Sequence, residues 1–222
     1  MNLEHPPIKQ HKMSTLSTML HVGQHLHVPR TVPRNVPRKP TKSIEAFIRT
    51  HPITQNLRAN RRFTESRPHM WAPEFLRTES LLGGSLAGSE KITVPPYIFH
   101  EKNGKRCVMV MHLGSDVCSH PGVVHGGLLA TLLDESFAWC CFPRFPKRVG
   151  VTANLSVDYR APALADSYFL LNAEIVKLEG RKAWLEGRIE TLEAGGADST
   201  LIAEARALFV EPKQADVSSP VV

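Results

Sequence analysis

Residues 125–141 read HGGLLATLLDESFAWCC, and the fold turns on them. Leu128, Leu129, Leu132, Leu133 and Ser136 recur at mixed three- and four-residue spacing, the period of a helix. The segment is apolar almost all round, so a helix here has no face to offer water and has to be buried. Pro143 stops it. Two glycines open it, and two carboxylates, Asp134 and Glu135, sit in its second half. One buried helix needs a wrapping, and the flanking sequence supplies strands.

On the C-terminal side, residues 149–159 form one candidate strand and residues 167–178 alternate. Glu179-Gly180-Arg181 makes a turn. Ala183, Leu185, Gly187 and Ile189 then share one side, while Trp184, Glu186, Arg188 and Glu190 share the other. Gly195-Gly196 turns again. Over residues 201–210, Leu201, Ala203, Ala205, Ala207 and Phe209 alternate with Glu204 and Arg206. Period-2 patterning joined by hairpin-type turns means antiparallel sheet. On the N-terminal side, residues 86–94, ended by Pro95-Pro96, are a candidate first strand. Residues 106–113 are a second. The predicted class is α+β, an antiparallel sheet wrapped around a central helix, over residues 81–212.

Outside that domain the composition changes. Residues 41–80 read as a helical lead-in: Ile44, Phe47 and Ile48 share a face, Pro52 interrupts, and Ile53 and Leu57 resume four apart. Residues 1–40 hold no Phe, Trp or Tyr but six of the 17 prolines and five of the 11 histidines. Val28-Pro29-Arg30 repeats at 32–34 and 36–38. Such a segment offers nothing to bury and is expected to be extended and disordered. Residues 213–222 read as a flexible tail.

The formal net charge is +6, and six Lys/Arg against Glu4 put +5 of it in residues 1–40, leaving about +1 for the other 182 residues. The charge describes the leader and gives no reason to expect nucleic-acid binding by the folded part. A basic leader poor in acids reads either as a mitochondrial targeting segment or as a plain tail on a cytoplasmic protein. No arginine precedes Arg30. The four cysteines, Cys107, Cys118, Cys140 and Cys141, fit neither a secreted disulfide framework nor the CxxC spacing of zinc sites. No apolar run reaches the roughly 18 residues that span a bilayer. The expectation is a soluble chain in a reducing compartment with no transmembrane segment.

The candidate chemistry lies at the mouth of the buried helix. Two glycines there leave N–H groups bare, at the positive end of the dipole and open to close approach. Such groups can polarise a carbonyl and stabilise the oxyanion that forms on attack. A glycine-lined tight turn would read the same way. Asp134, among Leu132, Leu133, Phe137 and Trp139, has to be paired, hydrogen-bonded or functional.

His125-Gly126-Gly127 followed by Asp134 resembles the HGG-x6-D signature of PaaI-type hotdog-fold thioesterases. Residues 151–162 (VTANLSVDYRAP) and 176–182 (VKLEGRK) resemble the mitochondrial acyl-CoA thioesterase superfamily members 4 and 5. The likeness covers roughly residues 80–212. It implies a hotdog fold and hydrolysis of fatty acyl-CoA. It makes Asp134 the nucleophile or general base and the Gly126 N–H the oxyanion donor. Thr152 helps to place the nucleophile or water, and His125 orients the loop. Some relatives carry Asn six residues before the histidine, where this chain has Ser119. Gly127, Ser119 and His120 complete the substrate contacts beside the loop. Arg160, Arg181 and Lys182, at strand ends and turns, are candidates for the CoA phosphates, or else solvated turn charges. No Gly-rich phosphate loop is present, and no metal or redox cofactor is implied.

Gly126 and Asp134 lie eight residues apart on one helix, roughly 12 Å along its axis. One carbonyl cannot touch both, because each group has to come within about 3 Å. Two antiparallel central helices at a twofold axis would bring Gly126 of one subunit to Asp134 of the other. A homodimer, or a dimer of dimers, is expected. Phe137, Trp139, Cys140 and Phe142 are candidates to line an acyl tunnel between the subunits.

Two competing functions remain. His120-Pro121-Gly122 precedes Asp134 at a spacing similar to the histidine and acid of hydroxyacyl-thioester dehydratases, although those read HFPG and lack HGG. A non-catalytic acyl-CoA-binding module is the other.

Removal of residues 1–40 should leave the thermal unfolding temperature and kcat nearly unchanged, since the segment has little to bury. A large loss of thermal stability on truncation would show that it packs.

Overall fold

The computed structural model describes residues 40–193 and 198–214. The leader expected over residues 1–40 lies outside these as far as residue 39. The Gly195-Gly196 turn and the tail from residue 215 lie outside them too.

The described chain runs α1 (Thr41–Thr50), α2 (Pro52–Ala59), β1 (Phe63–Ser66), α3 (Pro68–Trp71), α4 (Glu74–Glu79), β2 (Tyr97–Glu101), β3 (Arg106–Leu113), β4 (Cys118–His120), β5 (Val123–Val124), α5 (Gly126–Cys141), β6 (Val151–Tyr159), β7 (Ser167–Glu179), β8 (Lys182–Thr191) and β9 (Leu201–Val210). Seven strands make one antiparallel sheet in the order β1-β2-β3-β7-β8-β9-β6. β4 and β5 form a separate two-stranded ribbon that leads into α5.

The sheet curls around α5, as the apolar helix demands. Leu132, Leu133, Phe137 and Cys141 are almost wholly buried. They sit in one core with Met109 and Met111 of β3, Phe169 and Leu171 of β7, Leu185 and Ile189 of β8, and Phe209 of β9. Helix and sheet come close together at Gly187 of β8. A Cβ built there would lie 2.6 Å from Phe137 Cε1 and 2.8 Å from the Asn172 carbonyl oxygen. A side chain at position 187 would take the place the Phe137 ring needs.

A second core covers the outer face. Ile44 and Ile48 of α1 pack with Tyr97, Phe99, Val108 and Val110. β3 is therefore buried on both faces, which is why its middle, Cys107-Val108-Met109-Val110-Met111, reads as a continuous apolar run.

Two sequence expectations need correction. Residues 86–94 do not form a strand. The chain folds back on itself there: Lys91 N–H donates to Gly88 O at 2.9 Å and Ile92 N–H to Leu86 O at 2.9 Å. Only isolated bridges, Ala87 with Ile92 and Ile92 with Leu113, remain. Ile92 and Val94 are buried, so the stretch mimics a strand's apolar pattern without a ladder. The lead-in also contains a strand, β1, paired with β2 from Phe63↔Glu101 to Ser66↔Ile98. Four residues are too few for alternation to show.

Gly187→Ala should destabilise the fold by about 1–3 kcal/mol through overpacking against Phe137. Urea denaturation checks this, and an unchanged midpoint would mean that the helix does not seat on β8 as described.

Candidate active site

The first turn of α5 begins with His125 as its N-cap, in extended conformation at φ −63° and ψ 126°. Its side chain turns back onto the helix, where Nδ1 accepts the Gly127 N–H at 2.8 Å. An accepting Nδ1 carries no proton, so the ring in this bond is the tautomer protonated on Nε2. The His125 N–H donates to Val117 O at 2.8 Å, and its carbonyl accepts from Leu128 at 2.9 Å. The Gly126 carbonyl accepts from the Tyr159 hydroxyl at 2.8 Å. Among the described residues the Gly126 N–H has no acceptor. It is the unpaired donor of the helix mouth.

Gly126 is not glycine for want of space inside its own chain. A Cβ there would meet Tyr159 ring atoms at 3.4–3.6 Å, ordinary contact. At Gly127 a Cβ would come 3.0 Å from the His125 ring. The second glycine thus makes room for the cap. The first leaves a bare N–H.

Asp134 lies two turns further along. Thr152 of β6 donates from Oγ1 to Asp134 Oδ1 at 2.8 Å. Asp134 Oδ2 has no partner among the described residues. The carboxylate is half-buried and Thr152 is exposed, because β6 is the free edge of the sheet. The structure therefore brings Thr152 to Asp134, and it leaves the Gly126 N–H about 12 Å away on the same helix.

Glu135 turns elsewhere. Its Oε1 accepts from Trp139 Nε1 at 3.0 Å. Burial pushes its carboxyl above the ordinary value of 4.5, against the lowering effect of the Trp139 bond and with a contribution from the Asp134 charge. The Trp139 ring meets His69 and His100 edge-on, with centroids 6.0 and 6.3 Å apart. Burial lowers the pKa of both imidazoles. Of the four residues expected at an acyl tunnel, Phe137 and Cys140 point into the wrapped core, and the Phe142 ring meets Phe209 at 6.1 Å. They face the sheet. Trp139 is only partly buried.

The remaining expected contacts are dispersed. Ser119 and His120 are exposed on β4, with His120 Nδ1 3.2 Å from Ser119 Oγ. Arg160 follows the Tyr159 end of β6 and pairs with Glu204 at 3.0 Å. Arg181 donates to Glu211 O at 2.7 Å, and Lys182 pairs across β9 with the Val151 end of β6. Nine strand residues span roughly 25 Å, so the three cations do not converge within one chain. Among the described residues no three His, Cys, Asp or Glu side chains are grouped to hold a metal ion.

A family model described as thioesterase superfamily matches residues 121–197, from the turn before the glycines to beyond β8. An uncharacterized protein of Schizosaccharomyces pombe is 35% identical over 170 residues, 77% of this chain and 94% of its own length. An uncharacterized, mitochondrial protein of Candida albicans is 38% identical over 132 residues, 59% of each chain. The acyl-coenzyme A thioesterase THEM4 of Mus musculus is 30% identical over 175 residues, 78% of this chain and 66% of its own length. With its helix wrapped in an antiparallel sheet, the chain belongs to the thioesterase superfamily, as a thioester hydrolase of the hotdog fold.

Proposed function

We propose that the chain hydrolyses fatty acyl-CoA to the free acid and CoA, in sites shared between two subunits. Asp134 takes a proton from water, or attacks the carbonyl carbon itself. The oxyanion that forms is held by the Gly126 N–H of the partner subunit. Collapse of the tetrahedral intermediate breaks the C–S bond. In the water route the CoA sulfur leaves with the proton that Asp134 took; in the direct route it takes a proton from solvent, and water then hydrolyses the acyl–Asp134 anhydride to the free acid. Thr152 fixes the carboxylate so that Oδ2 faces the reaction.

The observation that carries this reading is the division of labour along α5: a single bare N–H at its start, and a carboxylate held by Thr152 two turns on. Neither is explained by packing. Both lie beside β6, a nine-residue free edge that exposes Val151 and Tyr159. Unpaired edges of that length attract a second strand. Antiparallel pairing of β6 with its twofold mate would set the Tyr159–Gly126 end of one subunit against the Thr152–Asp134 end of the other. It would also bring Arg160 of one subunit toward the Arg181–Lys182 turn of its mate, which favours these cations as the CoA phosphate contacts. A homodimer is the smallest active unit, and a dimer of dimers fits equally. The basic leader and the Candida relative favour a mitochondrial location.

Asp134→Asn should lower kcat by about 10²–10⁴ while leaving acyl-CoA binding within a few-fold. Gly126→Pro removes the N–H and puts a ring carbon in its place. Proline is accepted at the first helical position, and His125 already has the extended backbone that must precede it. Each variant alone should be inactive. Co-refolded, the two should regain about a quarter of the wild-type sites, since each mixed dimer keeps one intact Gly126–Asp134 pair. No recovery would place the whole site in one chain and end the shared-site reading.

Glu135→Gln keeps the acceptor for Trp139 and should retain most activity. Because the folded state holds the Glu135 proton above pH 4.5, wild-type stability falls as pH rises from 4.5 through the raised value. Glutamine does not titrate. The melting temperature of Glu135→Gln relative to wild type should therefore be higher at pH 7.5 than at pH 4.5. An offset independent of pH would mean that the carboxyl is not desolvated.

A further inference from the structure

Two consecutive glycines are a poor way to hold one N–H still. Glycine loses the most conformational freedom on ordering, and the first turn of a helix has no intrahelical partners for its N–H groups. Yet the peptide joining Gly126 to Gly127 is gripped at both ends. Its N–H donates to His125 Nδ1 and its carbonyl accepts from the Tyr159 hydroxyl, each at 2.8 Å. The preceding peptide is held through the His125 carbonyl, which accepts from Leu128 at 2.9 Å and Leu129 at 3.3 Å. Of the polar groups of these two peptides, the Gly126 N–H alone has no partner among the described residues.

We infer that Tyr159 is a positioning residue of the thioester-hydrolysing site, whose hydroxyl clamps the Gly126–Gly127 peptide and so keeps the Gly126 N–H aimed at the substrate carbonyl. This rests on the reading of Gly126 as oxyanion donor.

The strand that carries Tyr159 is shaped for the task. Thr152 and Tyr159 are seven residues apart, which in an unbroken strand puts them on opposite faces. β6 is not unbroken. Thr152 lies opposite Phe209 and Asn154 opposite Leu208, so Ala153 is an extra residue, a bulge. Beyond it, Leu155, Val157 and Tyr159 lie opposite Ala207, Ala205 and Ala203. These alanines and Phe209 are all buried on the helix side. Directly opposed residues share a face, so Thr152 and Tyr159 both point at α5. One strand holds the carboxylate with one end and the glycine peptide with the other.

The clamp moves no proton and touches no substrate. The oxyanion exists only after attack, so losing the clamp weakens transition-state stabilisation and leaves ground-state binding alone. Tyr159→Phe in the full chain keeps the ring and removes the hydroxyl. With decanoyl-CoA as substrate and thiol release as the readout, kcat should fall about tenfold or more. KM, melting temperature and dimer mass by light scattering should stay close to wild type. His125 grips the same peptide, so the kcat losses of Tyr159→Phe and His125→Ala should not multiply in the double variant. A Tyr159→Phe enzyme with kcat within twofold of wild type overturns the clamp. So does a loss shared by kcat, KM and melting temperature, or a double variant whose loss is the product of the two. Gly126→Pro, assayed alongside, separates this inference from the reading beneath it. An active Gly126→Pro removes the oxyanion-donor assignment and the clamp with it. An inactive one beside a normal Tyr159→Phe removes the clamp alone.

Discussion

Everything in this fold follows from the need to cover the long apolar side of one helix. Leu128, Leu129, Leu132, Leu133 and Phe137 of α5 are buried, while Thr131, Asp134 and Ala138 on its other side are half-buried, and each of the five contributes about 1.5–3 kcal/mol only when buried. A flat sheet would cover one stripe of it. Register shifts in β6, β7 and β9 let this sheet coil instead, since bulges bend strands and increase their twist. Gly187 then lets β8 come close enough for Phe137 to lie against bare backbone.

A helix enclosed in this way can do chemistry only where the enclosure is open. One opening is its N-terminus, where unsatisfied N–H groups and the dipole create positive potential. The other is the seam beside β6, the unpaired edge. Gly126 and Asp134 occupy these two openings. Their separation is set by the helix itself, eight residues at about 1.5 Å each, and the carboxylate next to Asp134, Glu135, turns to Trp139 instead. The continuous helix thus prevents one chain from bringing donor and carboxylate to the same carbonyl.

The helix and the long strands were legible in the sequence because each follows from a period that survives on its own, and Thr152 beside Asp134 came only with the family resemblance. The misread parts have a common physical cause. Residues 86–94 have the burial of a strand without its hydrogen bonds, and sequence reports burial. β1 has the hydrogen bonds of a strand but only four residues, too few to show a period. Phe137 and Cys140 lie in the wrapped core, a direction that depends on which side of α5 the sheet covers, and helical spacing alone does not say. Tyr159, within VTANLSVDYRAP, shows nothing of its direction in the sequence. Counting by twos from Thr152 sends it to the outer face, and the bulge at Ala153 leaves no mark in composition. Arg160 beside it stands out in the sequence by its charge, and it pairs with Glu204 on the surface.

That bulge also sets what kinds of sequence change β6 can absorb. Its outward positions, Asn154, Ser156 and Asp158, are exposed, and point substitutions there alter only surface chemistry. A change in length is different in kind. Deleting one residue between Thr152 and Tyr159 would shift the phase of everything on one side of the cut, turning either the partner of Asp134 or the partner of Gly126 outward. The strand works as a ruler whose markings are counted in residues. Along it, divergence by substitution is open and divergence by insertion or deletion is closed.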